Sequence, residues 1–175
     1  FQFVWVTTTT GFATADSNVW PGFAIIILIL GSLVCACAGS TAGGIKVNRL
    51  LMALKLFYAR MKQQQHPSAV IRIRMDGIIQ ESDTLHTVTL FIVTYLILIL
   101  IGTILLTLCG VDLMSSFSGC VASIGNVGPG FGEVGSMDNY SALPSVAKFV
   151  LTVLMLLGRL EIFGLLQFFL IKWWK

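Results

Sequence analysis

The sequence predicts an all-α polytopic membrane protein, and three observations carry that prediction. Of the 175 residues, 56% are hydrophobic and 11% are charged, whereas soluble domains carry about 25% charged residues. Three apolar stretches, 21–38, 88–108 and 144–170, approach or exceed the roughly 20 residues that span a bilayer. Two short loops that contain glycine precede the first and third stretches at similar places. This composition argues against a soluble enzyme and excludes a disordered chain.

Residues 1–62 are predicted to form a pore loop followed by a broken inner helix. The segment FQFVWV is the tail of an apolar piece, TTTTGFATAD is a loop, and a spanning helix follows Trp20 and Pro21. The segment has neither an initiator Met nor the charged start of a signal peptide. We therefore expect the chain to be the C-terminal part of a longer protein that repeats this architecture.

Residues 63–83 are predicted to be a cytoplasmic linker. The stretch 45–83 holds seven of the eleven basic residues, and basic residues favour the cytoplasmic side. Lys172 and Lys175 then fall on the same side. Within the linker, apolar and basic residues alternate around Asp76 and Gly77, which predicts a β-hairpin. A two-stranded hairpin is marginal alone, so we expect it to dock on a partner.

Residues 84–175 are predicted to hold a second, complete unit. The apolar helix 88–108 is followed by the outer stretch 109–143, which contains an amphipathic piece from Asp112 to Ile124. A helix of that length covers only about 20 Å at about 1.5 Å per residue, which suits a re-entrant half-helix. Asp112 is placed to cap it. A Gly-rich loop and the apolar stretch 144–170 complete the unit.

The two units can be superposed. Gly11 and Gly128 are 117 positions apart, and Pro21 and Pro144 are 123 positions apart, so the second outer loop is six residues longer. The order pore loop, inner helix, linker, outer helix, pore loop, inner helix fits two copies of an M1-P-M2 unit. The first copy lacks its M1 helix here.

The two short loops are candidate ion-selectivity filters. Each follows a half-helix whose C-terminal end carries partial negative charge and favours a cation. Backbone carbonyls can replace an ion's hydration shell, and glycine permits the backbone angles that this requires. The alternative is that both are ordinary extracellular turns. The candidate filter residues are Thr8, Thr9, Thr10, Gly11 and Phe12, and Asn126, Val127, Gly128, Pro129 and Gly130.

A run of small residues and one intramembrane arginine are a candidate gate. Such a run has poor helix propensity, which predicts a break and a loop below the filter. Packing against a neighbouring helix is the alternative, and the order of a phosphate-binding loop is absent. Arg159 lies past the midplane of its apolar stretch, where it lines water, meets a partner or snorkels to the interface. The candidate gate residues are Cys37, Ala38, Gly39, Ser40, Thr41, Ala42, Gly43, Gly44 and Arg159.

Catalytic chemistry is not predicted. Neither His66 nor His86 lies within an apolar stretch, and the acidic residues other than Glu161 lie outside these stretches. The four cysteines do not form a zinc pattern with these histidines, which favours small buried residues. The chain is therefore not expected to be an enzyme, to bind nucleic acid or to carry a covalent cofactor.

Four motifs together resemble the Trk/Ktr/HKT superfamily of potassium transporters, and within it the bacterial Trk membrane subunit. They are TTTTGFATAD, CAGSTAGGIK, SIGNVGPGFGEVG and MLLGRLEIFG. The resemblance covers nearly the whole chain, as the third and fourth repeats of a four-repeat pore. It implies that Gly11 and Gly128 anchor the filter, that Cys37–Gly44 is the gate loop, and that Arg159 faces the pore.

The resemblance also implies an activity and partners. Potassium uptake through the bacterial inner membrane is implied, with K⁺ held by Thr9, Thr10, Gly11, Asn126, Val127 and Gly128. A sodium-conducting or mixed Na⁺/K⁺ member of the same superfamily is the alternative, because one glycine per loop leaves fewer ordered carbonyl sites. The implied partners are a second copy in a homodimer, membrane lipid and a cytoplasmic nucleotide-binding regulatory ring. Half a filter cannot conduct by itself.

Overall fold

The protein is mostly helical in a computed structural model, which describes residues 1–35, 37, 39–40, 42–66, 72–75, 77–162 and 164. Two short 3₁₀ turns, Gly132–Val134 and Tyr140–Ala142, lie between the last two helices. The helices are α1 Gln2–Thr7, α2 Gly22–Leu33, α3 Val47–Gln65, α4 Ser82–Leu108, α5 Leu113–Ile124 and α6 Ser145–Arg159, and the strands are β1 Arg74–Met75 and β2 Ile78–Ile79.

Helix α4 has the length and composition of a membrane span. It is 27 residues long, and within the described ranges it is the one helix long and apolar enough to cross a membrane. Five threonine hydroxyls along it donate to carbonyls one turn earlier, so they need no partner outside the helix. Three spans were predicted, and the other two are shorter than expected.

Helix α2 ends at Leu33, five residues before the predicted end of the first apolar stretch at Ala38. The Ile45 amide donates to the Leu33 carbonyl at 3.0 Å, so Ile45 lies beside the last turn of α2. The sequence that follows α2 is rich in small residues, and their low helix propensity explains why the helix stops. Ala38 and Thr41 lie outside the described residues.

Helix α6 ends at Arg159, whereas the sequence predicts a stretch that continues to Leu170. Glu161 and Ile162 have φ values of 52° and 51°, in the left-handed region. Ile162 is buried, and Glu161 forms ion pairs with the start of α3. These tertiary contacts outweigh the helix propensity of the apolar residues that follow. Residue 163 and residues 165–175, including Lys172 and Lys175, lie outside the described part of the chain.

Helix α5 forms the centre of the packed core. It packs against α4 and α6 and also touches α2, and most of its residues are buried. The Asp112 carboxylate accepts a hydrogen bond from the Met114 amide at 3.1 Å, which confirms the predicted N-cap. At 12 residues, α5 is only about 18 Å long at about 1.5 Å per residue.

The linker forms the predicted hairpin. Strands β1 and β2 are antiparallel, with Arg74 opposite Ile79 and Met75 opposite Ile78. Gly77 in the turn has a φ of 82°, and Asp76 lies outside the described residues. The Lys55 ammonium donates to the Arg74 carbonyl at 2.8 Å, so the hairpin contacts α3 of its own chain.

Candidate cation pathway

Helix α1 ends in a Schellman motif, in which the backbone turns into the left-handed region and its amides bond back to the last turn. Thr9 is the left-handed residue, with a φ of 55°. A β-branched residue in this region is unusual. Three backbone hydrogen bonds close the helix, from Thr8 N to Val4 O, Thr9 N to Val6 O and Thr10 N to Trp5 O, at 2.9, 3.2 and 3.0 Å.

Helix α5 ends in the same motif, and each hydrogen bond is shifted by 117 residues. Asn126 occupies the left-handed position, again with a φ of 55°. This shift equals the spacing between the two candidate filter glycines. The bonds run from Gly125 N to Val121 O, Asn126 N to Ser123 O and Val127 N to Ala122 O, at 2.9, 3.0 and 2.9 Å.

In each loop, a glycine with positive φ stands two positions after the left-handed residue. Gly11 has a φ of 79° and Gly128 a φ of 107°, values that side chains with a Cβ rarely adopt. Thr9 and Asn126 stand two positions earlier in their respective loops. In both loops, a residue other than glycine with a positive φ precedes the glycine at the same spacing. The two loops therefore follow the same backbone path.

The two loops lie against each other. A Cβ added to Gly11 would stand 3.1 Å from the Val127 carbonyl oxygen and 4.0 Å from Pro129. Gly11 therefore allows one loop to approach the backbone oxygen of the other. Phe12, which follows, is 76% exposed, so its ring contributes little to holding this contact.

Polar side chains of α5 hold the second loop. The Ser118 hydroxyl accepts from the Phe131 amide at 2.9 Å, and the Ser115 hydroxyl accepts from the Glu133 amide at 3.0 Å. Each hydroxyl replaces the partner that an extended loop lacks inside a core. Gly130, the last candidate filter residue, donates to the Val134 carbonyl at 2.7 Å.

A tyrosine outside the loop reaches its central glycine. The Tyr140 hydroxyl donates to the Gly128 carbonyl at 2.6 Å. Burial raises the pKa of Tyr140 to about 12, so the hydroxyl keeps its proton at physiological pH. This contact joins residues far apart in the outer stretch, and the sequence pattern does not indicate it.

The outer loops of the two units are joined by an amide and a pair of serines. Asn18 accepts from the Gly132 amide at 2.9 Å and donates to the Gly132 carbonyl at 3.1 Å. Its amide also donates to the Asp138 carboxylate at 3.3 Å. The buried Ser17 hydroxyl lies 3.0 Å from the Ser136 hydroxyl. These contacts fix the outer ends of the two loops relative to each other.

The candidate gate run lies directly beneath the second loop. A Cβ on Gly43 would stand 2.8 Å from the Ile124 carbonyl and 2.8 Å from the Asn126 side-chain amide. Only a residue without a side chain fits there without displacing the end of α5. Ala42 is buried, whereas Cys37 is exposed. The predicted gate run and the predicted filter are therefore in contact at Gly43.

The end of α6 meets the same point. Gly158 packs against the Ile124 carbonyl, and a Cβ there would stand 2.9 Å from the Asn126 side-chain amide. That amide also donates to the Met155 carbonyl at 3.4 Å. Arg159 is the next residue, exposed at the last position of α6. It therefore directly follows a residue that meets the same Ile124 carbonyl and Asn126 amide as Gly43.

Glu161, which the sequence pattern does not single out, joins the end of α6 to the start of α3. Glu161 accepts from the Lys46 ammonium at 2.6 Å and from the Arg49 guanidinium at 2.7 Å. Arg49 also lies over the Phe91 ring, 4.1 Å from its centroid. A carboxylate in an apolar stretch requires a basic partner, and that signal was available. Which base it meets depends on the fold.

The candidate site has the chemistry of carbonyl and hydroxyl oxygens. Among the described residues, no group of three or more His, Cys, Asp or Glu side chains is placed to hold a metal ion. The Thr8 and Thr10 hydroxyls lie 2.8 Å apart beside the first loop. The other candidate oxygens are main-chain carbonyls. This donor set suits a weakly held monovalent cation whose hydration shell the oxygens replace, rather than a fixed metal centre.

Among the described residues, a mostly helical fold with one long apolar helix and two matching loops has features found in membrane transport proteins. The family model described as "TrkH: Cation transport protein" matches residues 1–173, and the chain belongs to this family. The family is one of cation transport proteins, and it implies a membrane location.

Several members of the family are similar over the full chain. The chain is 37% identical to the Trk system potassium uptake protein TrkH of Escherichia coli K12, covering 100% of this chain and 36% of that protein. It is 33% identical to TrkG of the same organism, over 96% of this chain and 34% of that protein.

A solved structure of a family member has a similar fold. The crystal structure of the potassium transporter TrkH from Vibrio parahaemolyticus matches with a TM-score of 0.89 and 36% identity, over 99% of this chain and 37% of that one. The chain thus spans about a third of the length of the relatives it matches. The expected family is confirmed.

Proposed function

We propose that the chain forms part of the ion pathway of a potassium uptake protein. The observation that carries this proposal is the matched backbone of the two loops, in which three hydrogen bonds and two left-handed positions recur 117 residues apart. A Schellman motif is a common helix end, but here the positive-φ glycine two positions later recurs as well. Two filter loops that surround one ion pathway need the same backbone geometry, because both must direct their carbonyl oxygens toward that pathway.

The chemistry of the loops suits a cation. Each loop begins at the C-terminal end of a helix, where unpaired carbonyls give partial negative charge. The K⁺ ligands proposed here are oxygens of Thr9, Thr10, Gly11, Asn126, Val127 and Gly128. The Val127 carbonyl lies beside Gly11, which supports placing both loops on one pathway.

The same correspondence supports the proposed two-repeat architecture. In the second unit, Gly102 of α4 packs against Leu154 and Cys120. In the first unit, Gly31 corresponds to Leu154 and Phe3 corresponds to Cys120. Gly31 and Phe3 line an open groove of about 600 Å³. The groove supports a missing M1 helix at this place, so that re-entrant half-helices stand between outer and inner helices in both units.

Gating is assigned to Cys37–Gly44 together with Arg159. The contact of Gly43 with Ile124 and Asn126 supports this assignment, because a loop that touches the base of the filter blocks the exit below it. An arginine at the same level raises an electrostatic barrier to cations. Ala38 and Thr41 belong to the proposed gate as well and lie outside the described residues.

The proposed setting is a multi-pass protein of the bacterial inner membrane, assembled as a homodimer with a cytoplasmic nucleotide-binding regulatory ring. The basic helix α3 and the hairpin on it support a cytoplasmic contact surface. Potassium uptake is stated by name for the E. coli and V. parahaemolyticus relatives. A sodium or mixed Na⁺/K⁺ pathway is the second candidate, favoured by a single positive-φ glycine in each filter loop at Gly11 and Gly128.

Flux measurements separate the two candidates. The full-length protein in liposomes is tested for uptake of ⁸⁶Rb⁺ and ²²Na⁺ at equal concentration, with empty liposomes as the background. Rb⁺ uptake well above Na⁺ uptake supports the potassium pathway. Equal or reversed uptake overturns it in favour of the second candidate, and no uptake of either ion overturns the pore itself.

A further inference from the structure

Gly128 is held by a hydrogen bond and not by packing. A Cβ built on Gly128 meets nothing within 4 Å, so no neighbouring atom restrains the backbone on that side. The Tyr140 hydroxyl lies 2.6 Å from the Gly128 carbonyl oxygen and donates to it. The Tyr140 phenol therefore contributes to the orientation of this carbonyl.

The turn that carries Tyr140 is held by hydrogen bonds at the next residue, Ser141. The Asn139 carboxamide accepts from the Ser141 amide at 2.9 Å and closes the turn that carries the tyrosine. The Lys148 ammonium of α6 donates to the Ser141 carbonyl at 2.8 Å. The hydroxyl is thus presented to the loop from a turn that is fastened to a helix.

The loop has space into which it can relax. A cavity of about 220 Å³ lies between Gly128, Tyr140 and α6, with Ser123, Leu151 and Thr152 among its lining residues. Loss of the hydroxyl leaves the Gly128 carbonyl without this donor beside an open volume. The Gly128 carbonyl belongs to the peptide that joins Gly128 to Pro129, so rotation about the Gly128 ψ angle moves this oxygen away from its place in the loop.

We propose that Tyr140 is a positioning residue for ion selectivity, whose hydroxyl fixes the direction of the Gly128 carbonyl and so the arrangement of the oxygens in this loop. This inference rests on the proposed function, because it requires the second loop to be a filter. A carbonyl site distinguishes K⁺ from Na⁺ by the number and arrangement of its dipoles, and a loosely held peptide accepts both ions.

The test compares three substitutions in the full-length protein. Tyr140→Phe removes one oxygen and keeps the ring. Tyr95→Phe is the matched control, because the buried Tyr95 hydroxyl has no hydrogen-bond partner among the described residues. Gly128→Ser tests the filter assignment independently. The readout is the ratio of ⁸⁶Rb⁺ to ²²Na⁺ uptake in liposomes, on protein that elutes as a single species.

We expect Tyr140→Phe to lower the Rb⁺/Na⁺ ratio about threefold to tenfold, the range that loss of one hydrogen bond allows, while Tyr95→Phe leaves it unchanged. An equal fall in both tyrosine variants, or an unchanged ratio in Tyr140→Phe when Gly128→Ser shifts it, overturns the role of Tyr140 alone. An unchanged ratio in Gly128→Ser overturns the filter assignment and this inference with it.

Discussion

The Lys46 ammonium lies 2.6 Å from the Glu161 carboxylate, joining the exit of the candidate gate run to the residue just beyond the end of α6. Arg49 pairs with the other carboxylate oxygen at 2.7 Å. Lys46 is the residue directly before α3, and Glu161 stands in the left-handed region. The ion pairs therefore fix two helix ends that each lie beside the base of the second loop.

Glu161→Gln tests this link. The Glu161 side chain is 48% exposed, so the pairs contribute modestly, and we expect the free energy of unfolding to fall by roughly 1 kcal/mol. Because the gate run loses its anchor, basal ⁸⁶Rb⁺ flux rises. Thermal unfolding in detergent and flux without activating nucleotide measure the two effects.

The matched control is Glu81→Gln, at the exposed start of α4, where the side chain makes no capping hydrogen bond. The account is contradicted when Glu161→Gln and Glu81→Gln have the same unfolding temperature and the same basal flux.

Gly43→Ala tests the contact between the gate run and the filter. The added methyl group would stand 2.8 Å from the Ile124 carbonyl, and overpacking of this kind costs about 1–3 kcal/mol. The strain falls on the closed arrangement, so we expect basal flux to rise about fivefold or more. Flux without the activating nucleotide is the measurement.

Gly22→Ala is the control for that substitution, because a Cβ there meets nothing within 4 Å. It leaves basal flux at the wild-type level. Equal basal flux in Gly43→Ala and the wild type, with correctly folded protein in both, shows that Gly43 does not touch a closed gate.

Removal of the gate itself is expected to raise basal flux more than Gly43→Ala does. Deletion of Cys37–Gly44, and separately Arg159→Ala, remove the loop and the positive charge below the filter. Both raise ⁸⁶Rb⁺ flux in the absence of nucleotide, since a gate that closes the pore by a few kcal/mol is then lost. Wild-type basal flux in both variants means that the run is only a packing surface.

Local features of the sequence predicted much of the fold. The length and hydropathy of α4, the Asp112 cap of α5 and the Asp76–Gly77 hairpin each depend on neighbouring residues, and the described parts of all three were found. The small residues from Cys37 onward predicted a break near the end of α2. Each of these signals acts within a few turns of the chain.

Features decided by distant contacts were not predicted. The residues after Arg159 favour a continuing helix, and the ion pairs of Glu161 together with the burial of Ile162 explain why α6 stops. The Tyr140 contact with Gly128 likewise depends on how the outer stretch folds back. The glycine alignment anticipated the offset between the loops, but not that Thr9, a β-branched residue, takes the left-handed position.

The central claim is that Gly11 and Gly128 belong to one selectivity filter. Each is replaced by serine in the full-length protein, with Gly110→Ser as the control, since Gly110 has a φ of 86° and open space around it but lies outside both loops. Because a Cβ disfavours the required φ, the ratio of ⁸⁶Rb⁺ to ²²Na⁺ uptake falls in both filter variants and stays at the wild-type value in Gly110→Ser. Wild-type ratios in both Gly11→Ser and Gly128→Ser would contradict the account.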